Sequence, residues 1–219
     1  MNGTLSGSFG LQHNVASGTL SVGGTTTSGY SGNITLGTAS GGTFQVANGA
    51  TLVTSGNFTH TWNKTLVFDG ALTTQTASIS TNATTNMSGG GSFTNTGLFL
   101  SNNVVLNSTM TGTLDTTSGK VVIGASSANA SSAGTLTING NGTVRTTGVQ
   151  FGAASTTAAG TLTLGGNGKL LVGASGISDG SSGANAITIN LNNGTLGSLA
   201  SWSSTLPMTL GGTTLIDTA

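Results

Sequence analysis

In 219 residues the chain carries only 4 Lys+Arg and 4 Asp+Glu, 4% charged residues where soluble domains average about 25%. A net charge of zero leaves no electrostatic pull toward nucleic acid or an anionic membrane, and so few ionisable groups leave little material for acid–base catalysis. With Cys 0 there is neither a disulfide nor a thiolate metal site.

Gly 38 and abundant Ser and Thr suggest low complexity, but 35% hydrophobic residues, a mean hydropathy of +0.19 and clear alternation argue for a folded β protein. With charges scarce, Thr, Ser and Asn or neighbouring subunits must cover the surface, so self-association is expected. The opening MNGTLSGSFG lacks the basic start of a signal peptide, and no apolar run approaches the roughly 18 residues of a membrane span. The chain reads as a mature form or a piece of a longer one, with no membrane insertion.

From the N-terminus, the unit G-x-Φ-x-Φ, with Φ apolar, predicts short strands at Gly18–Val22, Gly32–Leu36 and Gly42–Val46. Alternation of period two places Leu, Ile, Val and Phe on one face and Thr, Ser and Gln on the other. A related unit follows at Asn48–Leu52, and Asn57–Asp69 (NFTHTWNKTLVFD) gathers His60, Trp62, Lys64 and Asp69. The strand unit returns at Gly134–Ile138 and Gly160–Leu164, and a further strand is expected at Ile187–Leu191. Helix content is expected to be very low.

In the C-terminal half the pairs Asn141-Gly142, Asn167-Gly168 and Asn193-Gly194 recur at 26-residue spacing, each after an alternating strand. A period of this size marks a stacked-repeat architecture. Asn-Gly takes positive φ readily, so each pair is expected to turn the chain, with the asparagines of successive coils forming a ladder. Ile187 and Ile189 align with Thr135 and Thr137 instead of with Leu136 and Ile138, so a bulge or shorter turn must restore the register there. The fold expected is all-β, a single domain over 1–219: a β-solenoid resembling a parallel β-helix, with coils of about 26 residues over 119–219. Over 1–118 the period is weak, which leaves unequal coils or a sandwich or barrel open.

The run AGTLTINGNGTVRTTGVQFGAASTTAAGTLTLGGNGKLLVGASG, Ala133 to Gly176, resembles the autotransporter-associated β-strand repeat of bacterial surface and secreted proteins. That resemblance implies a right-handed parallel β-helix outside the cell, serving as stalk, adhesin or coat, with no catalytic residues to carry over.

Candidate sites are sparse. His13 and His60 have no metal-ligand spacing, the four Asp share no phase of the repeat, and Gly165–Gly168 lacks the rest of a phosphate loop, so no catalytic residue, cofactor or metal is expected. Trp62 beside His60 is a candidate glycan contact. Asn-x-Ser/Thr sequons recur, with Asn33, Asn57, Asn63, Asn82 and Asn107 as candidate glycosylation positions. Thr135-x-Thr137 and Thr161-x-Thr163 resemble the flat threonine array of ice-binding solenoids, an array that Ile187-Thr-Ile189 would break. The expected function is structural and non-enzymatic: an extracellular, self-assembling fibre, sheath or surface-layer subunit, a homo-oligomer or polymer joined through β edges. The alternatives are a passive stalk of a large adhesin and an ice- or glycan-binding solenoid.

Overall fold

The computed structural model describes residues 5–218 apart from 27–28, 38–40, 81–83, 102, 128–129, 155–158, 182 and 184–185. Among the described residues every regular element is a strand. The early coils run β1 (Leu11–His13) and β2 (Thr19–Val22); β3 (Ile34–Leu36), β4 (Thr43–Val46) and β5 (Thr51–Val53); β6 (Phe58–His60), β7 (Thr65–Phe68) and β8 (Ala71–Thr73); and β9 (Ala77–Ile79), β10 (Thr85–Gly89) and β11 (Ser92–Thr94). Then come β12 (Leu98–Leu100), β13 (Asn103–Met110) and β14 (Thr113–Ile123), the hairpin β15 (Ala125–Ser127) and β16 (Ala130–Ser131), β17 (Ala133–Ile138) and β18 (Thr143–Ala154). The chain closes with β19 (Ala159–Leu164), β20 (Lys169–Ser181), β21 (Ala186–Leu191), β22 (Gly194–Ser198), β23 (Thr209–Leu210) and β24 (Thr214–Asp217).

Apart from the β15–β16 hairpin, each strand pairs in parallel with its counterpart in the next coil, so the chain winds a β-solenoid of about seven turns averaging about 24 residues. Three sides result. β1, β3, β6, β9 and β12 stack on the first; β2, β4, β7, β10, β13, β17, β19, β21 and β23 on the second; β5, β8 and β11 begin the third. β14, β18 and β20 each cover the third side and bend onto the first, with register shifts at Thr116/Lys120 and Thr146/Gly148 marking the corner. The solenoid thus extends through the described residues of 5–118, where coils of unequal length stand in place of a sandwich or barrel.

Alternation decides what faces inward. On β4, Phe44 and Val46 are buried while Thr43 and Gln45 are not, and the same parity holds in β7, β17 and β19. In-register stacking builds continuous inward columns such as Leu114, Val144, Leu170, Leu196 and Ile216. In the early coils Phe58 and Phe93 meet edge to face at 5.3 Å and Phe68 stacks on Phe93 at 5.0 Å.

A glycine column runs along the corner before the third side. The unit G-x-Φ recurs at Gly70, Gly91 and Gly112 with a 21-residue spacing, then at Gly142, Gly168 and Gly194. A Cβ on Gly91 would lie 1.9 Å from Gly70 O, and one on Gly112 would lie 1.9 Å from Gly91 O. Close coil-to-coil approach therefore demands glycine there. The 21-residue spacing does not extend through the first half, since along the first side the offset is 24 residues at Ile34↔Phe58 and 19 at Phe58↔Ala77.

Register at the third repeat is restored by loop length. β21 pairs with β19 as Leu162↔Ile189, a 27-residue offset, while β22 pairs with β20 as Lys169↔Thr195, back to 26. One extra residue precedes β21 and one fewer separates β21 from β22, so Ile189 regains the inward column and Thr188 falls beside Thr161. The outward rank Thr135, Thr161, Thr188 therefore continues through the third coil, while the neighbouring rank Thr137, Thr163 ends at Asn190, so the paired threonine array is interrupted there, by Asn190 and not by Ile187 and Ile189.

Candidate interaction surface at the coil ends

The corner between the third and first sides buries Thr54, Thr74, Asn95, Thr116 and Thr146, each three residues after a third-side position. At Thr54 and Thr146 the hydroxyl replaces water for the turning backbone, whereas the Thr74 hydroxyl and the Asn95 amide make no such bond among the described residues. Thr54 Oγ1 donates to Gly32 O at 2.7 Å and accepts from Gly56 N at 2.9 Å. Thr146 Oγ1 accepts from Val121 N and Gly148 N, both at 3.2 Å. Sequence reasoning missed this column, although Thr54-Ser-Gly56, Asn95-Thr-Gly97 and Thr146-Thr-Gly148 repeat a Thr/Asn-x-Gly signal.

Among the Asn-Gly pairs, Asn167 Nδ2 donates to Asn141 Oδ1 at 3.1 Å, whereas Asn193 Oδ1 accepts from Thr213 N at 3.0 Å. Their glycines do not all turn the chain as expected. Gly194 has φ +90°, but at the 165–168 turn the positive φ belongs to Gly166. Gly142 and Gly168 are required by space, since a Cβ there would lie 2.6 Å from Met110 Cγ and 2.5 Å from Ile138 Cγ2.

His60 corrects the expected glycan patch. Its inward parity on β6 buries it completely, while Trp62 remains 43% exposed, so the two rings do not share a surface. The His60 ring accepts from Lys64 N at its Nε2 (3.3 Å) and faces Thr85 Oγ1 across its Nδ1 (3.4 Å), the arrangement of a neutral imidazole. Burial pushes its pKa down to about 4; a backbone bond at Trp62 opposes this and the Lys64 charge adds to it. Lys64 itself is buried and reaches across two coils, its Nζ donating to Val15 O at 2.7 Å and Gly41 O at 2.9 Å. Burial, and then the Lys64 charge, lower the pKa of His13 as well.

Of the sequon asparagines, Asn33, Asn57 and Asn63 are exposed; Asn82 lies outside the described residues, as does the side chain of Asn107 on β13. Asn33 Oδ1 accepts from Asn57 N at 2.9 Å, and Asn57 Oδ1 accepts from Thr76 Oγ1 at 2.7 Å. No cluster of three or more His, Asp or Glu occurs among the described residues, nor any helix long and apolar enough to cross a membrane.

The two ends of the solenoid differ. At the N-terminal end, Gly7 bridges Tyr30, Leu5 packs on the core, and the Phe9 and Tyr30 rings lie 5.7 Å apart, so Leu11, Val22 and Tyr30 are buried. At the C-terminal end β23 and β24 are the last strands of their sheets, paired along one edge among the described residues. There the inward columns stop in solvent: Leu210 is 68% exposed and Ile216 49%, with outward Leu215 beside them. A cleft of about 340 Å³ lined by Leu196, Trp202 and Ile216 opens at this end. Apolar side chains at inward positions thus lie beside strand edges that carry no further strand among the described residues.

No protein-family model matches the chain, and neither curated proteins nor solved structures give a match.

Proposed function

We propose that this protein is a non-enzymatic, extracellular structural subunit that assembles end to end into a fibre, sheath or surface layer. The observation that carries this reading is the exposure of Leu210 and Ile216, the last inward residues of their columns among the described residues. Another coil placed there continues both hydrogen-bond ladders and covers the exposed apolar side chains. Extracellular placement is supported by the resemblance of residues 133–176 to a surface-protein repeat and by the exposed sequons at Asn33, Asn57 and Asn63, which are candidate glycan attachment points. No cofactor is required.

Sedimentation velocity and negative-stain microscopy of the full chain test the assembly. Wild-type protein is expected to form filaments or sheets, and Ile216→Asp is expected to shift it to monomers with unchanged β circular dichroism. A wild-type chain that stays monomeric across the concentration range removes the self-assembly reading. The passive-stalk alternative places the next coil of a longer polypeptide on the same surface; a natural polypeptide continuing with further G-x-Φ units decides for it. The rank Thr135, Thr161 and Thr188, beside a second rank of Thr137 and Thr163 that ends at Asn190, supports a second reading, ice binding by the second side, which thermal hysteresis would reveal.

A further inference from the structure

The outward column of the first side is polar along most of its length, running Gln12, Thr35, Thr59 and Ser78 and ending in Gln150 and Ser178. In the middle, two adjacent rungs instead present Phe99 and Val122. The chain inserts its one hairpin among the described residues, β15–β16, directly after this place, and Ala125 and Ala153 pack with Val122 against Phe99. Apolar outward residues, an inserted hairpin and a lysine thus converge on one stretch of a face that is otherwise plain. A groove of about 290 Å³ remains open beside them.

Its chemistry is specific. Phe99, Val122 and Ala153 give an apolar floor, and Lys120 is the one charged residue in the lining. Lys120 Nζ donates to Gln150 Oε1 at 3.0 Å, and Gln150 is held in turn by its Nε2 bond to Gly152 O at 3.0 Å. That fixes the ammonium at the rim with donors to spare, in a chain that has only 4 cationic side chains. On the preceding rungs of the same strand edge the threonine protons are already used: Thr76 Oγ1 donates to Asn57 Oδ1 and Thr96 Oγ1 to Gln75 O, each at 2.7 Å. Both hydroxyl oxygens therefore remain as acceptors. At Gly97 an added Cβ would lie 4.0 Å from the Phe99 ring, so the absent side chain leaves that ring uncovered.

We infer that this groove binds an acidic oligosaccharide, one bearing uronic-acid residues, along the first side of the solenoid. The carboxylate pairs with Lys120, sugar hydroxyls donate to Thr76 and Thr96, and a C–H face of the ring lies on Phe99. A neutral sugar leaves the ammonium unmatched, and an aliphatic acid leaves the threonine acceptors unmatched.

Calorimetric titration of the full chain with a galacturonate trisaccharide, and with maltotriose as the neutral counterpart, tests this. The acidic trisaccharide is expected to bind at least about ten-fold more tightly, with affinity falling as salt rises. Lys120→Gln should lose about ten-fold for the acidic sugar while leaving thermal unfolding unchanged, and Lys120→Arg should retain binding. Phe99→Ala should weaken binding without loss of the β circular dichroism signal. Equal affinity for the two sugars, no heat with the acidic one, or binding unaffected by Lys120→Gln but abolished by Trp62→Ala each overturns the assignment.

Discussion

The coils from Ile34 to Thr94 build each side from a separate short strand and enclose Phe44, Phe58, Phe68 and Phe93, whereas those from Thr113 to Ser181 cover two sides with one long strand and enclose mainly Leu, Ile and Val. Offsets along the third side are 20 to 21 residues from Thr51 to Thr113, then 30 to Thr143, 26 to Lys169 and to Thr195, and 20 to Leu215. The polar corner is common to both halves, from Thr54 through Thr146. Coil length is adjusted both at that corner, where the register shifts by two residues at Thr116/Lys120 and again at Thr146/Gly148, and in the link between the first and second sides that holds the β15–β16 hairpin. Stacking register needs only that strand units and glycine corners coincide, so the solenoid tolerates changes of period that a fixed repeat would not.

The halves differ in how their cores are filled, and the largest expected effect lies there. Phe93 is fully buried and touches both Phe58 and Phe68, so Phe93→Ala should destabilise the early coils by about 3–5 kcal/mol. Leu170, equally buried but in the aliphatic half, should lose about 2–5 kcal/mol on the same truncation. Urea titration with hydrogen exchange resolved along the chain checks both size and place. If Phe93→Ala loosens the late coils first, the two halves are not separately cored.

Acid should sharpen the contrast. His60 titrates near 4 in the folded chain against 6.5 unfolded, so between these pH values the unfolded chain binds the extra proton. Stability is then complete above pH 6.5 and is lost as pH falls toward 4. At 1.36 kcal/mol per pKa unit the loss reaches about 3 kcal/mol. Burial lowers the pKa of His13 as well, and it too lies in the early coils. Exchange protection at pH 4.5 should therefore fall around β6 and β7 while β18 to β20 hold. His60→Leu, matching Leu36 and Ile79 in its column, should flatten the profile.

Much of this organisation is written in the residues. Alternation in Thr43–Val46 and Thr161–Leu164 identifies strands and their inward faces without coordinates, because only a pleated chain sorts side chains at period two. The 26-residue repeat identifies the stacking. The early repeat was harder to see because its markers are glycines chosen for close approach, and Gly70, Gly91 and Gly112 are lost among 38 glycines unless the spacing is known. His60 was misplaced for the opposite reason: a polar residue at an inward position looks like a surface group until the parity set by Phe58 is applied. The Phe99 groove had no local signal, since it depends on Lys120 and Gln150 arriving from different coils.

The smallest expected effect concerns the asparagines that first revealed the repeat. The Asn167–Asn141 bond is exposed and 3.1 Å long, so water competes for both amides. Asn167→Ala should therefore shift the urea midpoint by the equivalent of only about 0.5–1 kcal/mol, with an unchanged m-value. Asn193 is different in kind, since its Oδ1 holds Thr213 N and so ties the open terminal coil to the one beneath it. Asn193→Ala should lower exchange protection in β24 beyond the change that Asn167→Ala produces in β20. Equal effects at both positions would mean that side-chain ladders, not the backbone pairing beneath them, hold successive coils together.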